Sequence, residues 1–171
     1  ISRIIKDKGI FEFIESAKIL NKNKFFQGNF YLIGDIDKNN PSAINRKLIN
    51  EWKKKEYLKI FKNQKNIYKW MKKSTLIVLP SYREGFPKVI MEAASCGRPV
   101  ITTNVPGCRD AILNNKTGFL IPPKNSKDLS KTIFHLSKNK KLLRRMGRAA
   151  RIHAKKNFDI KIIISKHLKI Y

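Results

Sequence analysis

Short apolar runs alternate along the chain with amphipathic stretches whose apolar residues recur at helical spacing. From Gly9 to Leu20, for example, Phe11, Ile14 and Ala17 fall on one helical stripe. The apolar runs are bounded by Pro, Gly or polar residues and have the usual length of buried strands. The predicted strands are "ISRII" (1–5), "NFYLIG" (29–34), "YLKIF" (57–61), "TLIVLP" (75–80), "RPVITT" (98–103) and "GFLIPP" (118–123).

Helices are predicted between most of these strands, and three consecutive helices end the chain. Pro41 is expected near the first turn of its helix, where its missing N–H costs least. The predicted helices cover 9–20, 40–55, 66–74, 87–97, 126–139, 140–157 and 159–171. This alternation predicts an α/β fold, a Rossmann-like parallel sheet of about six strands flanked by helices. We interpret residues 1–171 as one domain, with a β/α core at 1–123 and C-terminal helices at 124–171.

The charge of the chain narrows the class of its partners. Lys and Arg number 38 against 12 acidic residues, so the formal net charge is +26, which favours anionic partners. Most of these basic residues are expected to lie on solvated faces rather than to form a dedicated polyanion site. Hydrophobic residues make up 42%, enough for a folded core. Cys96 and Cys108 lack metal-binding spacing and are expected to stay reduced, and no apolar run is long enough to span a bilayer.

The stretch "SYREGFPKVIMEAASCG" (81–97) concentrates the candidate chemistry. It begins where the strand "TLIVL" ends, and ligands of open parallel sheets bind at the carboxyl ends of strands. Pro87 is predicted as the first helical position and Gly97 as the residue that closes the helix. Helical spacing predicts that Val89, Ala93 and Cys96 face the sheet.

Two glutamates bracket the start of this helix. Glu84 lies in the preceding loop, and Glu92 falls outside the buried stripe. The free N–H groups of a helix N-terminus attract an anion such as phosphate, while carboxylates accept hydrogen bonds from hydroxyls. A phosphate-binding helix start and two carboxylates that accept from hydroxyls together fit a nucleotide-sugar as ligand. An equally weighted alternative is that Glu84 pairs with Arg83, and Glu92 with Lys88, on a solvated surface.

Four segments of the chain resemble the C-terminal half of retaining glycosyltransferases of family 4, which have the GT-B fold of two Rossmann-like domains. The segments are "SRIIKDKG" (2–9), "LIG" with "NPSAI" (32–34 and 40–44), "VLPSYREGFPKVIMEAASCGRPVITTNVPGCRD" (78–110) and "TGFLIPP" (117–123). The third segment is long and specific. The resemblance therefore covers essentially the whole chain.

The resemblance implies roles for individual residues. Arg3 and Lys8 match the basic pair that holds the donor diphosphate, and Glu84 matches a glutamate placed near the hydroxyls of the donor sugar. These three are the candidate catalytic residues. Glu92 matches a glutamate that holds the ribose hydroxyls. The other candidate substrate-binding residues are Gly85, Phe86, Pro87 and Lys88, although many relatives have an aliphatic residue at the position of Lys88.

The resemblance also implies a function. Within the family, the chain is most similar to the branch that transfers a hexose or N-acetylhexosamine from a UDP-sugar. The acceptor of that branch is a lipid-linked or polysaccharide glycan in bacterial surface glycan synthesis. Such enzymes work in the cytoplasm on the inner face of the cell membrane, where a basic surface favours anionic lipid. No metal or other cofactor is expected. The N-terminal acceptor-binding domain is absent from these 171 residues, so we expect the chain alone to be inactive.

Two alternatives remain open from the sequence. A basic nucleic-acid-binding domain would account for the net charge, but the chain lacks the aromatic-rich strands and recognition helices of such domains. A nucleotide-sugar epimerase on the same fold would need other residues around Glu84. Arg109 and Asp110, in "NVPGCRD", are expected to shape a turn rather than contact a ligand.

Overall fold

The structure is a computed structural model that describes residues 1–168; the last three residues of the predicted tail lie outside it. Five short parallel strands form two sheets. β1 pairs with β2, and β4 lies between β3 and β5. Their bounds are β1 (Phe30–Ile33), β2 (Leu58–Phe61), β3 (Ile77–Leu79), β4 (Val100–Thr103) and β5 (Gly118–Ile121).

Seven α-helices and a 3₁₀ helix are present in the described part of the chain. The 3₁₀ helix covers Lys6–Lys8, directly before the first α-helix. The α-helices are α1 (Ile10–Asn21), α2 (Arg46–Lys53), α3 (Ile67–Lys73), α4 (Lys88–Ser95), α5 (Ser126–Lys138), α6 (Lys140–Asn157) and α7 (Ile160–His167). The predicted α/β class, the parallel strands and the consecutive C-terminal helices are confirmed.

The described residues form five strands, so the predicted count of about six is approximate. The first predicted strand, "ISRII", is extended and hydrogen-bonds to the end of β1, but it forms only an isolated bridge between Ile5 and Ala43. The second helix also starts later than predicted. Pro41 lies in a turn, and α2 begins at Arg46, because the side chain of Asn45 accepts a hydrogen bond from the N–H of Lys47 and caps the helix there.

Helix α4 is buried on two sides, so its buried residues differ from those that helical spacing predicted to face the sheet. Ile90 and Ala93 pack in the cluster beneath the three-stranded sheet, and Ala94 packs against Ala150 and Ala154 of α6. Val89 and Cys96, predicted to face the sheet with Ala93, are only partly buried. Pro87 is the N-cap rather than the first helical residue. The predicted closure at Gly97 is confirmed by its left-handed backbone, with φ of 65°.

Two main apolar clusters hold the domain together. The larger one joins α1, α2 and α5 to β1, and includes Phe13, Phe30 and Leu136. The smaller one lies under α4 and β3 and includes Met71, Ile90 and Cys108. The loops at the carboxyl ends of the strands rest on these clusters. The candidate site residues are therefore carried by a packed scaffold.

Candidate functional site

Lys8 and Glu84 meet where the first loop and the loop after β3 come together. Lys8 Nζ lies 2.6 Å from Oε1 of Glu84, and Ser81 Oγ donates to the same oxygen at 2.7 Å. The side chains of Lys8 and Glu84 are only 17% and 11% exposed. Such partial burial weakens screening by water, so this pair is electrostatically stronger than a surface ion pair.

Backbone packing holds the loop of Glu84 in place. A Cβ atom on Gly107 would lie 1.9 Å from the carbonyl oxygen of Gly85 and 2.5 Å from that of Glu84. Gly107 also has φ of 76°, a conformation that other residues rarely adopt. The loop after β4 thus contacts the backbone at Glu84 directly. The buried hydroxyl of Thr103 donates to the carbonyl of Ser81 and secures the same loop from below.

A second group of polar contacts surrounds this pair. Arg83 Nη2 lies 3.2 Å from Oδ2 of Asp7, and Tyr82 Oη donates to both carboxylate oxygens of Glu12 at 2.8 Å. Burial, followed by the hydrogen bond to the Glu12 carboxylate, raises the pKa of Tyr82 far above its ordinary value. The phenol therefore keeps its proton at physiological pH and joins α1 to the site loop.

Arg3 lies in a separate ion pair. Its Nη1 is 2.7 Å from Oδ2 of Asp37, and the arginine side chain is 59% exposed. The structure therefore does not bring Arg3 into contact with Glu84. Its guanidinium group is largely open to solvent, and the sequence analysis does not predict its partner Asp37.

Glu92 and Lys88 line an open groove of about 690 Å³ on another side of α4. The opposite wall comes from α6 and the turn after it, where Arg151, Lys155 and Phe158 contribute. Within the described residues Glu92 makes no ion pair, so the predicted pairing with Lys88 does not occur there. The predicted pairing of Glu84 with Arg83 is wrong, because each side chain has another partner.

The loop between Glu84 and α4 is exposed at Gly85 and Phe86, whereas Pro87 is buried. A Cβ on Gly85 would meet no atom within 4 Å, so open space surrounds this residue. The Phe86 ring contacts Phe158 edge to face at 5.7 Å between centroids, which ties the loop to the turn after α6. Space for a ligand therefore lies next to the backbone at the start of α4.

Some residues of the site escaped the sequence analysis. Ser81 and Asp37 both contact a predicted residue, but neither was singled out. The position of Ser81, just after the strand that ends at Leu79, is a signal that could have found it. Asp110 and Arg109 shape their own loop, as expected: Asp110 accepts from the N–H of Gly107 at 3.1 Å, and Arg109 donates to Asn104 at 3.2 Å.

Metal-binding and thiol chemistry have little support in the described residues. No group of three or more His, Cys, Asp or Glu side chains is placed to hold a metal ion within residues 1–168. Cys96 and Cys108 are free, as predicted, and burial raises the pKa of both thiols. None of the helices in this part of the chain is both long and apolar enough to cross a bilayer.

Comparison with known proteins decides the family. Residues 1–153 match the family described as "Glycosyl transferases group 1". The chain belongs to this family. The resemblance to family 4 glycosyltransferases with the GT-B fold is thereby confirmed.

Two bacterial glycosyltransferases are similar to nearly the whole of this domain. The chain is 36% identical, over all of its length and 43% of the relative, to an N,N'-diacetylbacillosaminyl-diphospho-undecaprenol alpha-1,3-N-acetylgalactosaminyltransferase of Campylobacter jejuni. It is 30% identical, over 95% of its length and 42% of the relative, to the capsular polysaccharide biosynthesis glycosyltransferase CapM of Staphylococcus aureus. The chain thus spans less than half the length of these relatives.

A solved structure supports the fold. Anabaena HepE, crystallised in complex with UDP, superposes with a TM-score of 0.86 over the whole chain and 48% of HepE, at 22% identity. The same protein has also been crystallised with UDP-glucose. At this identity the likeness shows the α/β fold alone.

Proposed function

We propose that this chain is the donor-binding half of a retaining glycosyltransferase that transfers a hexose or N-acetylhexosamine from a UDP-sugar. The acceptor is a lipid-linked or polysaccharide glycan of the bacterial surface. The contact between Lys8 and Glu84, beside the start of α4, carries the proposal. The Campylobacter relative, named for a diphospho-undecaprenol acceptor, and the UDP complexes of HepE support the two substrate classes.

Glu84 is proposed to bind the donor sugar. Its Oε1 is occupied by Lys8 and Ser81, while Oε2 has no hydrogen-bond partner within the described residues. Oε2 can therefore accept a hydrogen bond from a sugar hydroxyl without breaking the pair. A carboxylate that is held by an ammonium group in this way acts as a hydrogen-bond acceptor and an electrostatic stabiliser.

Lys8 and Arg3 are proposed to stabilise the diphosphate leaving group. An ammonium group has three N–H donors, so Lys8 can keep its bond to Glu84 and still donate to a phosphate oxygen. When the donor binds, Arg3 gives up part of its contact with Asp37 and donates a hydrogen bond to the second phosphate. Positive charge placed where negative charge develops lowers the barrier to bond cleavage. We propose that these cations, rather than a metal ion or another cofactor, balance the diphosphate charge.

The nucleoside end of the donor is assigned to the start of α4 and to the groove beside it. Glu92 is proposed to accept from the ribose hydroxyls, with Lys88 on the same wall. The backbone N–H groups of Gly85 and Phe86 are proposed to approach the phosphates, and Pro87, which has no N–H, fixes the entry of the chain into the helix. The acceptor-binding surface is proposed to come from a domain outside these residues, so the chain alone would not transfer sugar.

Location at the inner face of the cell membrane is also part of the proposal. Helix α6 contains no acidic residue, and its cations are all exposed: Lys140, Lys141, Arg144, Arg145, Arg148, Arg151, Lys155 and Lys156. Ile152, which is 67% exposed, lies among them. Each basic residue close to an anionic bilayer contributes about 1 kcal/mol of attraction. We propose that the exposed side of α6 faces the lipid head groups.

Calorimetric titration tests the donor site. UDP and UDP-sugars are titrated into the chain and into Lys8→Ala, Glu92→Ala and Lys131→Ala variants. Lys131 is an exposed lysine of α5 and controls for loss of one charge. We expect UDP affinity to fall about tenfold or more in the first two variants and to stay unchanged in the third. Equal binding by all four proteins would contradict the assigned residues.

A further inference from the structure

Asp7 contacts two loops at the edge of the domain that holds the candidate site. Its carboxylate Oδ1 accepts from Ser42 Oγ at 3.1 Å, in the loop after β1. Its Oδ2 lies 3.2 Å from Nη2 of Arg83, in the loop after β3. The backbone carbonyl of Asp7 also accepts from the N–H of Tyr82 at 2.8 Å. Asp7 therefore joins its own 3₁₀ helix to both of these loops.

Arg83 and Glu84 are neighbours in the chain, but different partners hold their side chains. Their Cα atoms are about 3.8 Å apart across a trans peptide. Lys8 and Ser81 both contact Oε1 of Glu84, and Oε2 has no hydrogen-bond partner within residues 1–168. The Arg83 side chain is 85% exposed and contacts the carboxylate of Asp7. An exposed cation is thus attached one residue away from a carboxylate with an unpaired oxygen.

Electrostatic attraction favours a contact between Arg83 and Glu84 whenever Asp7 does not hold the arginine. Glu84 is only 11% exposed, so water screens its charge less than the charge of a surface carboxylate. A guanidinium group presents several N–H donors in one plane, so it can bind Oε2 while Lys8 stays on Oε1. The carboxylates of Asp7 and Glu84 therefore compete for the same cation.

Contacts that do not involve Arg83 fix the carboxylate of Asp7. The N–H of Lys6 donates to the carbonyl of Ser42 at 2.7 Å, which attaches the loop after β1 to the 3₁₀ helix. The hydroxyl of the same serine then holds Oδ1 of the aspartate. A side chain that is already ordered loses little conformational entropy when it binds a partner. This preorganisation stabilises the observed pair of aspartate and arginine.

We propose that Asp7 is a positioning residue that keeps Arg83 away from Glu84. Oε2 of the glutamate then stays open to a hydroxyl of the donor sugar. Without Asp7, the arginine would occupy Oε2 and compete with that hydroxyl. Asp7 itself touches no substrate, because it acts through Arg83. The inference rests on the proposed role of Glu84, but the pairing of the arginine can be measured without a sugar.

Four proteins test this competition: the wild type, Asp7→Asn, Arg83→Gln and the variant with both substitutions. Asparagine keeps a side-chain oxygen that can accept from Ser42, but it has no charge to hold the arginine. Calorimetric titration compares UDP with UDP-glucose, UDP-galactose and their N-acetylhexosamine counterparts. For the UDP-sugar that binds the wild type best, the ratio of its affinity to that of UDP gives the contribution of the sugar.

The affinity ratio should fall only where Arg83 is present without Asp7. In Asp7→Asn we expect a fall of about three- to fivefold, which is the size of a single exposed ion pair. The double variant should regain the wild-type ratio, because no arginine is left to occupy Oε2, and Arg83→Gln alone should keep it. An unchanged ratio in Asp7→Asn, or a double variant as impaired as Asp7→Asn, would overturn the proposal.

Urea unfolding measures the pairing of Arg83 without any ligand. Arg83→Gln, Glu84→Gln and their combination give the coupling between the two residues, first in the wild type and then in Asp7→Asn. The coupling should be small in the wild type and about three- to fivefold in the unfolding equilibrium constant of Asp7→Asn. Equal coupling in both backgrounds would overturn the proposal. Coupling as expected in a chain that binds no UDP-sugar would instead contradict the proposed role of Glu84.

Discussion

Lys8 and Glu84 are 76 residues apart in the sequence, yet Nζ of the lysine lies 2.6 Å from Oε1 of the glutamate. The contact closes the site between the first loop of the domain and the loop after β3. It also explains why a highly basic chain keeps an acidic residue at this place. The carboxylate holds the lysine side chain in place, while its Oε2 has no hydrogen-bond partner among residues 1–168.

A double-mutant cycle measures this pair. Lys8→Met and Glu84→Gln each leave a largely buried charge without its partner, so each should lower the free energy of unfolding by about 2 kcal/mol. The double variant should lose less than the sum, since neither charge then remains unpaired. Urea unfolding of the four proteins gives the coupling. Strictly additive losses would mean that the two side chains do not interact in solution.

Replacement of Gly107 tests the packing behind Glu84. An alanine there adopts a left-handed backbone, which costs about 1–2 kcal/mol, and its Cβ would collide with the carbonyl oxygen of Gly85. Gly107→Ala should therefore lower stability by more than that conformational cost. Gly85→Ala is the matched control, because its Cβ would lie in open space, and it should change stability by less than about 0.5 kcal/mol. Similar losses in both variants would contradict the described loop contact.

Much of the fold could be predicted from the sequence because the signals are local. Apolar runs marked the positions of all five strands, and caps and periodicity marked the helices. Helix α4 shows where such reasoning stops. The periodicity indicated one buried face, but Ala94 is buried by α6, from a different part of the chain. Packing between segments that are far apart in the sequence produces no periodic pattern of apolar residues in either segment.

The same limit applies to the candidate site. Glu84 and Glu92 stand out because acidic residues are rare in this chain, and the family resemblance supplies a role for each. Their immediate partners could not be predicted, because the choice of Lys8 over Arg83 depends on how two loops meet in three dimensions. Glu84 forms an ion pair with Lys8, whereas Glu92 lines the groove between α4 and α6. The two glutamates therefore have different surroundings in the structure.

In a polypeptide produced with Ile1 as its first residue, stability should depend on pH through the amino group of Ile1. Its pKa is about 6 in the folded chain and 8.0 as the ordinary value, so between these pH values the unfolded chain binds more protons. Stability should therefore rise by about 2–3 kcal/mol from below pH 6 to above pH 8. Acetylation of this amino group removes the charge. The acetylated and the free chain should therefore have the same free energy of unfolding at high pH. Urea unfolding across pH 5.5–8.5 checks this; parallel curves for both forms would contradict it.

The basic side of α6 gives a prediction for binding to lipid. Replacement of Arg144, Arg145 and Arg148 by glutamine removes about 3 kcal/mol of attraction to an anionic bilayer, equivalent to roughly a hundredfold weaker binding. The matched control replaces the exposed Lys47, Lys53 and Lys54 of α2 and its C-terminus, which leaves the same net charge.

Co-sedimentation with vesicles that contain phosphatidylglycerol measures both variants, and vesicles of phosphatidylcholine alone give the background. Only the α6 variant should lose binding, because attraction to the bilayer falls off within about 10 Å at ordinary ionic strength and so depends on which face approaches the lipid. Equal losses in the two variants would mean that total charge, rather than the exposed side of α6, governs the attraction.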